Sequence, residues 1–209
     1  MAVYRYVNLD IREAQLLSDL TGIEHDLKAT VTLCDQLEAA LKDTFEGHQP
    51  DIITLETLTT AVLVRYARSF TSGVRARLPK QILQGLPPKL LDDHRWFKAL
   101  RDKYVAHSVN AFEENMVVAY LAPEELGTRE VQSISVQQHR LASLGLDDVD
   151  CLRVLCQELC TRVSELIEQE RARVLEVARK LPVDQLYAQE GRAPTVVTRK
   201  TVEQSRKRL

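Results

Sequence analysis

A chain of 209 residues, 44% hydrophobic and 28% charged, can bury a substantial core and fits one globular domain with embellishments better than two independent ones. Its net charge of −2 does not mark it as a nucleic-acid binder, yet Arg192, Arg199, Lys200, Arg206, Lys207 and Arg208 against Asp184, Glu190 and Glu203 put residues 182–209 at +3. No apolar run approaches the roughly 20 residues that span a bilayer, and the segment after Met1 has no signal-peptide core, so a cytoplasmic protein without a membrane partner is expected.

Few Gly and Pro suit long helices. Asn8 or Asp10 can cap a first helix, because Ile11, Ala14, Leu17, Leu20, Leu27, Val31, Cys34, Leu37 and Leu41 recur at helical intervals. It should end near Phe45 to Pro50, and Gly22 inside it suggests a kink or a close helix contact. A second helix starts with Asp51 or Thr54 as cap and runs through Leu55, Leu58, Val62, Leu63, Tyr66 and Phe70. Arg65, Arg68, Arg75 and Arg77 cluster at its end. They suit phosphate contacts to RNA, and equally suit solvated charges at a helix C-terminus.

Lys80 to Pro88 reads as a short helix or turn closed by Pro87-Pro88, after which Asp92 or Asp93 starts a third helix reaching about Asn110. The period then changes. Met116 to Leu121 is rich in β-formers, and Ile134 and Val136 share a face of the alternating run Val131 to Val136. A two-stranded hairpin over about 116–138 follows, which must lean on the helices because a lone hairpin is marginal. After Asp147-Asp148, the residues Val149, Leu152, Cys156, Leu159, Val163 and Leu166 alternate three and four apart. They form the seam of a long last helix that Pro182 ends. The expected fold is therefore mainly α: an up-and-down helical bundle over 1–181, with a small β-hairpin insertion and a long C-terminal helix. Residues 182–209 form a basic tail expected to be flexible.

Among the cysteines, Cys34 stands alone and Cys151, Cys156 and Cys160 share one helical stretch. No second Cys or His pair supplies the other half of a zinc site, so no metal and no cofactor is expected and the thiols read as buried and reduced. No Gly-rich phosphate loop, metalloprotease helix or nucleophile elbow is present in the sequence.

The third helix carries the most informative stretch, Trp96 to Ser108. Trp96, Phe97, Leu100, Tyr104 and Val105 make an apolar stripe bordered by Arg101. In a regular helix His107 lies about 120° round from Arg101 and ~9 Å further along the axis. Chemically, Arg offers planar paired donors that match phosphate oxygens, and His is the side chain whose ordinary pKa suits it to move protons near neutrality. Together they can break RNA without a metal. An equally ordinary reading has the His capping carbonyls beside Ser108 and the Arg snorkelling to a carboxylate.

The run Arg101-Asp102-Lys103-Tyr104-Val105-Ala106-His107 resembles the signature of the HEPN superfamily: an Arg, a polar residue, a short spacer and a His near the end of a helix. The match covers about eight residues. The resemblance implies a small helical bundle that dimerises across the signature helix, and a metal-independent endoribonuclease of toxin–antitoxin or phage-defence type. Arg101 would hold the scissile phosphate, His107 would act as general acid and base, and Asp102 would orient one of them. Attack by the 2′-hydroxyl would leave a 2′,3′-cyclic phosphate. The resemblance also implies RNA as a partner, engaged by Lys103 and by Arg65, Arg68, Arg75 and Arg77, and an antitoxin or defence-system protein as a second partner. The alternative is a non-catalytic module of the same family that binds RNA or protein, or a dimeric helical scaffold. Of the other histidines, His94 is expected to be solvated or to border the same groove, and His25, His48 and His139 to lie on the surface.

Overall fold

Apolar residues three and four apart form a helix that must bury one stripe, and four long or medium helices among the described residues follow that rule. The computed structural model describes residues 5–45, 51–71, 73–105, 115–138, 141–191 and 198–199. Among them are α1 (Ala14–Phe45), α2 (Ile52–Arg68), α3 (Pro88–Leu100), strands β1 (Asn115–Leu121) and β2 (Val131–Gln138), α4 (Leu146–Ala178) and α5 (Val183–Ala188). The protein is mainly helical with one small antiparallel sheet. No described helix is long and apolar enough to cross a membrane.

The chain divides into two compact units, one comprising Met1–Lys28, Arg68–Gln84 and Cys156–Leu209, the other Ala29–Ala67 and Gly85–Leu155. In the first unit, Leu20, Ile23 and Leu27 of α1 are buried, as are Cys156, Leu159, Val163 and Ile167 of α4. Ser164 donates to Glu24 at 2.6 Å, fixing the register of these two helical segments. Two carboxylates of α1, Asp19 and Asp26, are buried. Asp19 accepts hydrogen bonds from Gln15 (2.9 Å) and from the Ala76 backbone N–H (2.9 Å), while Asp26 ion-pairs with Arg75 at 2.8 Å and lies 3.6 Å from Arg68. A Cβ on Gly22 would meet the Arg75 guanidinium at 3.4 Å. The glycine expected to admit a neighbouring helix instead gives Arg75 room along α1. Arg162 of α4 donates to the carbonyls of Ile82 (3.0 Å) and Gln84 (2.6 Å), satisfying the end of the short 3-10 turn Lys80–Leu83.

In the second unit, Asp51 caps α2: its carboxylate accepts from the N–H groups of Ile53 (3.2 Å) and Thr54 (3.3 Å), two donors that a helix start leaves unpaired. Leu55, Val62, Leu63 and Tyr66 of α2, Cys34 and Leu37 of α1, Phe97 and Leu100 of α3, and Val149, Leu152 and Leu155 of α4 make its core. Arg153 of α4 joins Asp35 (3.0 Å) and Glu38 of α1. Thr59, also buried, accepts from the Leu144 N–H at 3.3 Å, which anchors the segment leading into α4.

Several expectations are corrected. The third helix begins at Pro88, not at Asp92 or Asp93, with Pro87 as its cap residue. Proline at the first helical position needs no N–H partner and is already set for helical φ, so Pro87-Pro88 opens α3 and does not merely close the preceding turn. The first helix starts at Ala14, after a turn in which the Ala14 N–H donates to Ile11 O at 3.0 Å. The hairpin has the expected antiparallel pairing, with Val117 opposite Val136 and Ala119 opposite Ile134, and a bulge between Tyr120 and Leu121. It does not lean on the helices, however, because every residue of both strands is exposed except the half-buried Val118. Two of the four cysteines, Cys34 and Cys156, are buried as expected, whereas Cys151 and Cys160 are half-buried. Beyond Pro182 the chain turns once more into helix, α5, and Arg5 donates to Gln189 O at 2.6 Å. Most of the basic segment, residues 192–197 and 200–209, lies outside the described residues.

Burial separates two apolar substitutions. Leu152→Ala should cost about 2–5 kcal/mol because Leu152 has no exposed surface. Ile134→Thr, at a residue 70% exposed, should stay within about 0.5 kcal/mol. Urea denaturation of the two variants checks the difference.

Candidate functional site around the end of the third helix

Helix α3 is held by its buried face. Phe97, Leu100 and Tyr104 are buried, whereas Trp96, expected on the same stripe, is 43% exposed and touches Phe97 edge-on with centroids 4.7 Å apart. Tyr66 of α2 packs edge-on against both Phe97 (6.2 Å) and His94 (6.1 Å). Its hydroxyl lies 2.7 Å from His94 Nδ1. Tyr104 closes the other end, donating to Leu141 O at 2.9 Å.

His94 is thus buried, contrary to the solvated position expected for it. Its place three residues before Phe97 on the buried stripe was the available signal. Burial disfavours the imidazolium, and the nearby cations Lys98 and Arg95 add to that, so its pKa falls below the ordinary histidine value. A neutral ring accepting the Tyr66 O–H at Nδ1 carries its own proton on Nε2. His25 is exposed, as expected; His48 and His139 lie outside the described residues.

After Leu100 the helix widens. Arg101–Val105 forms a single π turn, an irregularity that recurs at functional sites. The regular-helix angle between Arg101 and His107 therefore does not apply. Arg101 keeps 28% of its side-chain surface and places Nη1 2.9 Å from Asp102 Oδ1; Lys98 reaches Asp102 Oδ2 at 2.8 Å. Burial pushes the Asp102 carboxyl up, but the hydrogen bonds and charges of Lys98 and Arg101 outweigh it and hold the group below its ordinary range. Asp102 is an anion clamped between two cations, one of which is Arg101. His107 lies outside the described residues.

Among the residues expected to bind RNA, Lys103 is exposed and Arg65 half-buried, both in the unit that carries Arg101. Arg68, Arg75 and Arg77 belong to the other unit. There Arg75 pairs with buried Asp26 and also donates to Arg68 O at 3.1 Å, whereas Arg77 is exposed. Among the described residues no group of three or more His, Cys, Asp or Glu side chains is arranged to hold a metal ion.

The geometry defines a helical protein with an Arg–Asp–Lys network at a widened helix turn. Compared with known proteins, the chain matches no family model, no curated protein and no solved structure.

Two measurements test these placements. A buried His with a depressed pKa binds fewer protons folded than unfolded, so stability should fall as pH drops below about 6.5. The loss should level off once the folded-state pKa is passed. His94→Gln should flatten that slope in denaturation curves taken between pH 7 and 5. Arg75→Ala, which removes the nearer of two guanidinium groups from the buried Asp26 carboxylate, should cost up to roughly 3–5 kcal/mol, whereas Arg77→Ala should stay within about 0.5 kcal/mol.

Proposed function

We propose that the chain is a HEPN-like, metal-independent endoribonuclease of toxin or phage-defence type acting on cytoplasmic RNA. The observation that carries this reading is the disposition of Arg101. One of its terminal nitrogens is fixed by Asp102, and the rest of its planar fork has no protein partner among the described residues. A fork oriented on one edge and open on the other is suited to a phosphate, which it can contact with two parallel N–H donors. Asp102 then serves as the orienting group, and Lys98 neutralises its second oxygen.

In this reaction Arg101 holds the scissile phosphate and stabilises the charge that develops on it. His107, six residues on, removes the proton from the 2′-hydroxyl and returns one to the leaving 5′-oxygen, giving 2′,3′-cyclic phosphate and 5′-hydroxyl ends. Two copies of the signature helix facing each other across a two-fold axis complete the groove, with Lys103 and Arg65 flanking the RNA. Arg68 and Arg75, in the other unit, already pair with Asp26, so any RNA contact of theirs draws on the donors that pairing leaves, and Arg77 is exposed. An antitoxin or another defence-system protein is the partner that would hold such an activity in check.

A second reading has a specific observation in its favour. Val117, Leu121, Ile134 and Val136 of the hairpin are all more than half exposed. An apolar strand pair of this kind suits a non-catalytic module that engages a protein or RNA through the same helical scaffold.

Incubation of the purified chain with total RNA in EDTA, followed by mapping of new 5′ ends, separates the two. Arg101→Ala and His107→Ala should each reduce cleavage by about 100-fold or more while circular dichroism stays unchanged. Absence of cleavage in the parent chain favours the binding module, and cleavage that survives both substitutions overturns the roles given to Arg101 and His107.

A further inference from the structure

Three groups from two helices meet away from Arg101. Lys89, at the start of α3, places Nζ 2.7 Å from Cys151 Sγ in the second turn of α4, and 3.1 Å from Asp93 Oδ2 one helical turn further along α3. Asp93 retains only 20% of its side-chain surface and holds the flexible lysine head over the sulfur. The same contacts, Cys151 first and Asp93 second, raise the Lys89 pKa to about 12. Burial pushes the Cys34 thiol up to about 12 and also raises that of Cys160, and Cys156 is buried. Cys151 is half-buried and so within reach of a small solute.

A cation in contact with sulfur stabilises negative charge there, and the negatively charged sulfur is the nucleophile in cysteine oxidation. An amine in contact with the same sulfur is also the nearest nucleophile once that sulfur is oxidised. We propose that Cys151 is a peroxide-reactive thiol and that Lys89 captures its oxidised form as a covalent sulfur–nitrogen link between the starts of α3 and α4.

The chemistry proceeds in two balanced steps. Sulfur attacks hydrogen peroxide: an S–O bond forms, the O–O bond breaks, sulfur loses two electrons, and the thiol proton leaves with the second oxygen as water. Oxidation takes the negative charge off the sulfur, so the Lys89 ammonium first gives one proton to solvent and the lone pair so freed on Nζ attacks the sulfenic sulfur. An S–N bond forms as the S–O bond breaks, and a second Nζ proton leaves with the hydroxyl as water. Formation of the link therefore removes two hydrogens from the neutral pair, and a thiol reductant reverses it by attacking sulfur. The link would tie α3, which Arg101 directly follows, to α4 within a single unit.

The test exposes the full-length chain to hydrogen peroxide, with and without a diketone trap for sulfenic acid, and reads peptides by mass spectrometry. The parent chain should give a Lys89–Cys151 linked pair lighter by two hydrogens and cleaved by dithiothreitol, while trapping at Cys160 stays at least about tenfold lower than the total oxidation at Cys151. Lys89→Arg keeps the cation but supplies no nucleophilic amine, so the link should vanish and trapped Cys151 should rise several-fold. Cys151→Ser should give neither product. Oxidation of Cys151 no faster than of Cys160 overturns the proposal. So does oxidised Cys151 without the linked pair, or a trap yield unchanged by Lys89→Arg.

Discussion

The contact on which the candidate site depends is the one between Tyr66 and α3. Tyr66 has no exposed surface, packs edge-on against Phe97 and His94, and shares its hydroxyl with the His94 ring. A tyrosine in such a place anchors by its apolar body and specifies by its polar tip: the ring contacts contribute about 0.5–1.5 kcal/mol each beyond burial, and an unmet hydroxyl would cost roughly 1–3 kcal/mol. Only one rotation of α3 satisfies both demands. That rotation sends His94, Phe97, Leu100 and Tyr104 inward and leaves Trp96 and Arg101 at the margin.

Arginine plays two roles in this chain, separated by what lies opposite. Arg75 faces a carboxylate with almost no contact with water, and Arg153 meets three carboxylates. Removing a partner from a pair of the first kind leaves an uncompensated charge, which is far more costly than losing an exposed pair worth less than about 1 kcal/mol. Arg101 differs from both. Its carboxylate neighbour is the adjacent residue, already shared with Lys98, so Asp102 orients the guanidinium without consuming it.

The π turn after Leu100 bears on that site too. The π turn lies at the point where the stripe passes from Leu100 to Tyr104. Tyr104 still reaches the interior, where it donates to Leu141 O. Tyr104 is buried while Arg101 and Asp102 remain half-exposed.

Helix positions were written in the sequence because a three-four apolar spacing is buried along one helix face, and the seam Val149, Leu152, Cys156, Leu159 and Val163 marked the first half of α4, although Ile167 and not Leu166 continues the buried stripe. Asp51 announced the start of α2 because a carboxylate before an apolar run meets the free N–H groups of a first turn. The strand pairing was likewise visible in the alternation around Ile134 and Val136, and the motif Arg101 to His107 by residue type alone. What periodicity could not say was which apolar face finds a partner. The hairpin stays exposed, while His94 goes inside because Tyr66, 28 positions earlier, offers it a hydroxyl. The fate of each arginine was equally hidden: Arg68, Arg75 and Arg77 look alike in sequence, and only folding brings Asp26 to Arg75. Local spacing determined the elements because it depends on neighbours along the chain. Burial, pairing and the lysine–cysteine contact depend on residues tens of positions apart, so tertiary structure alone decided them.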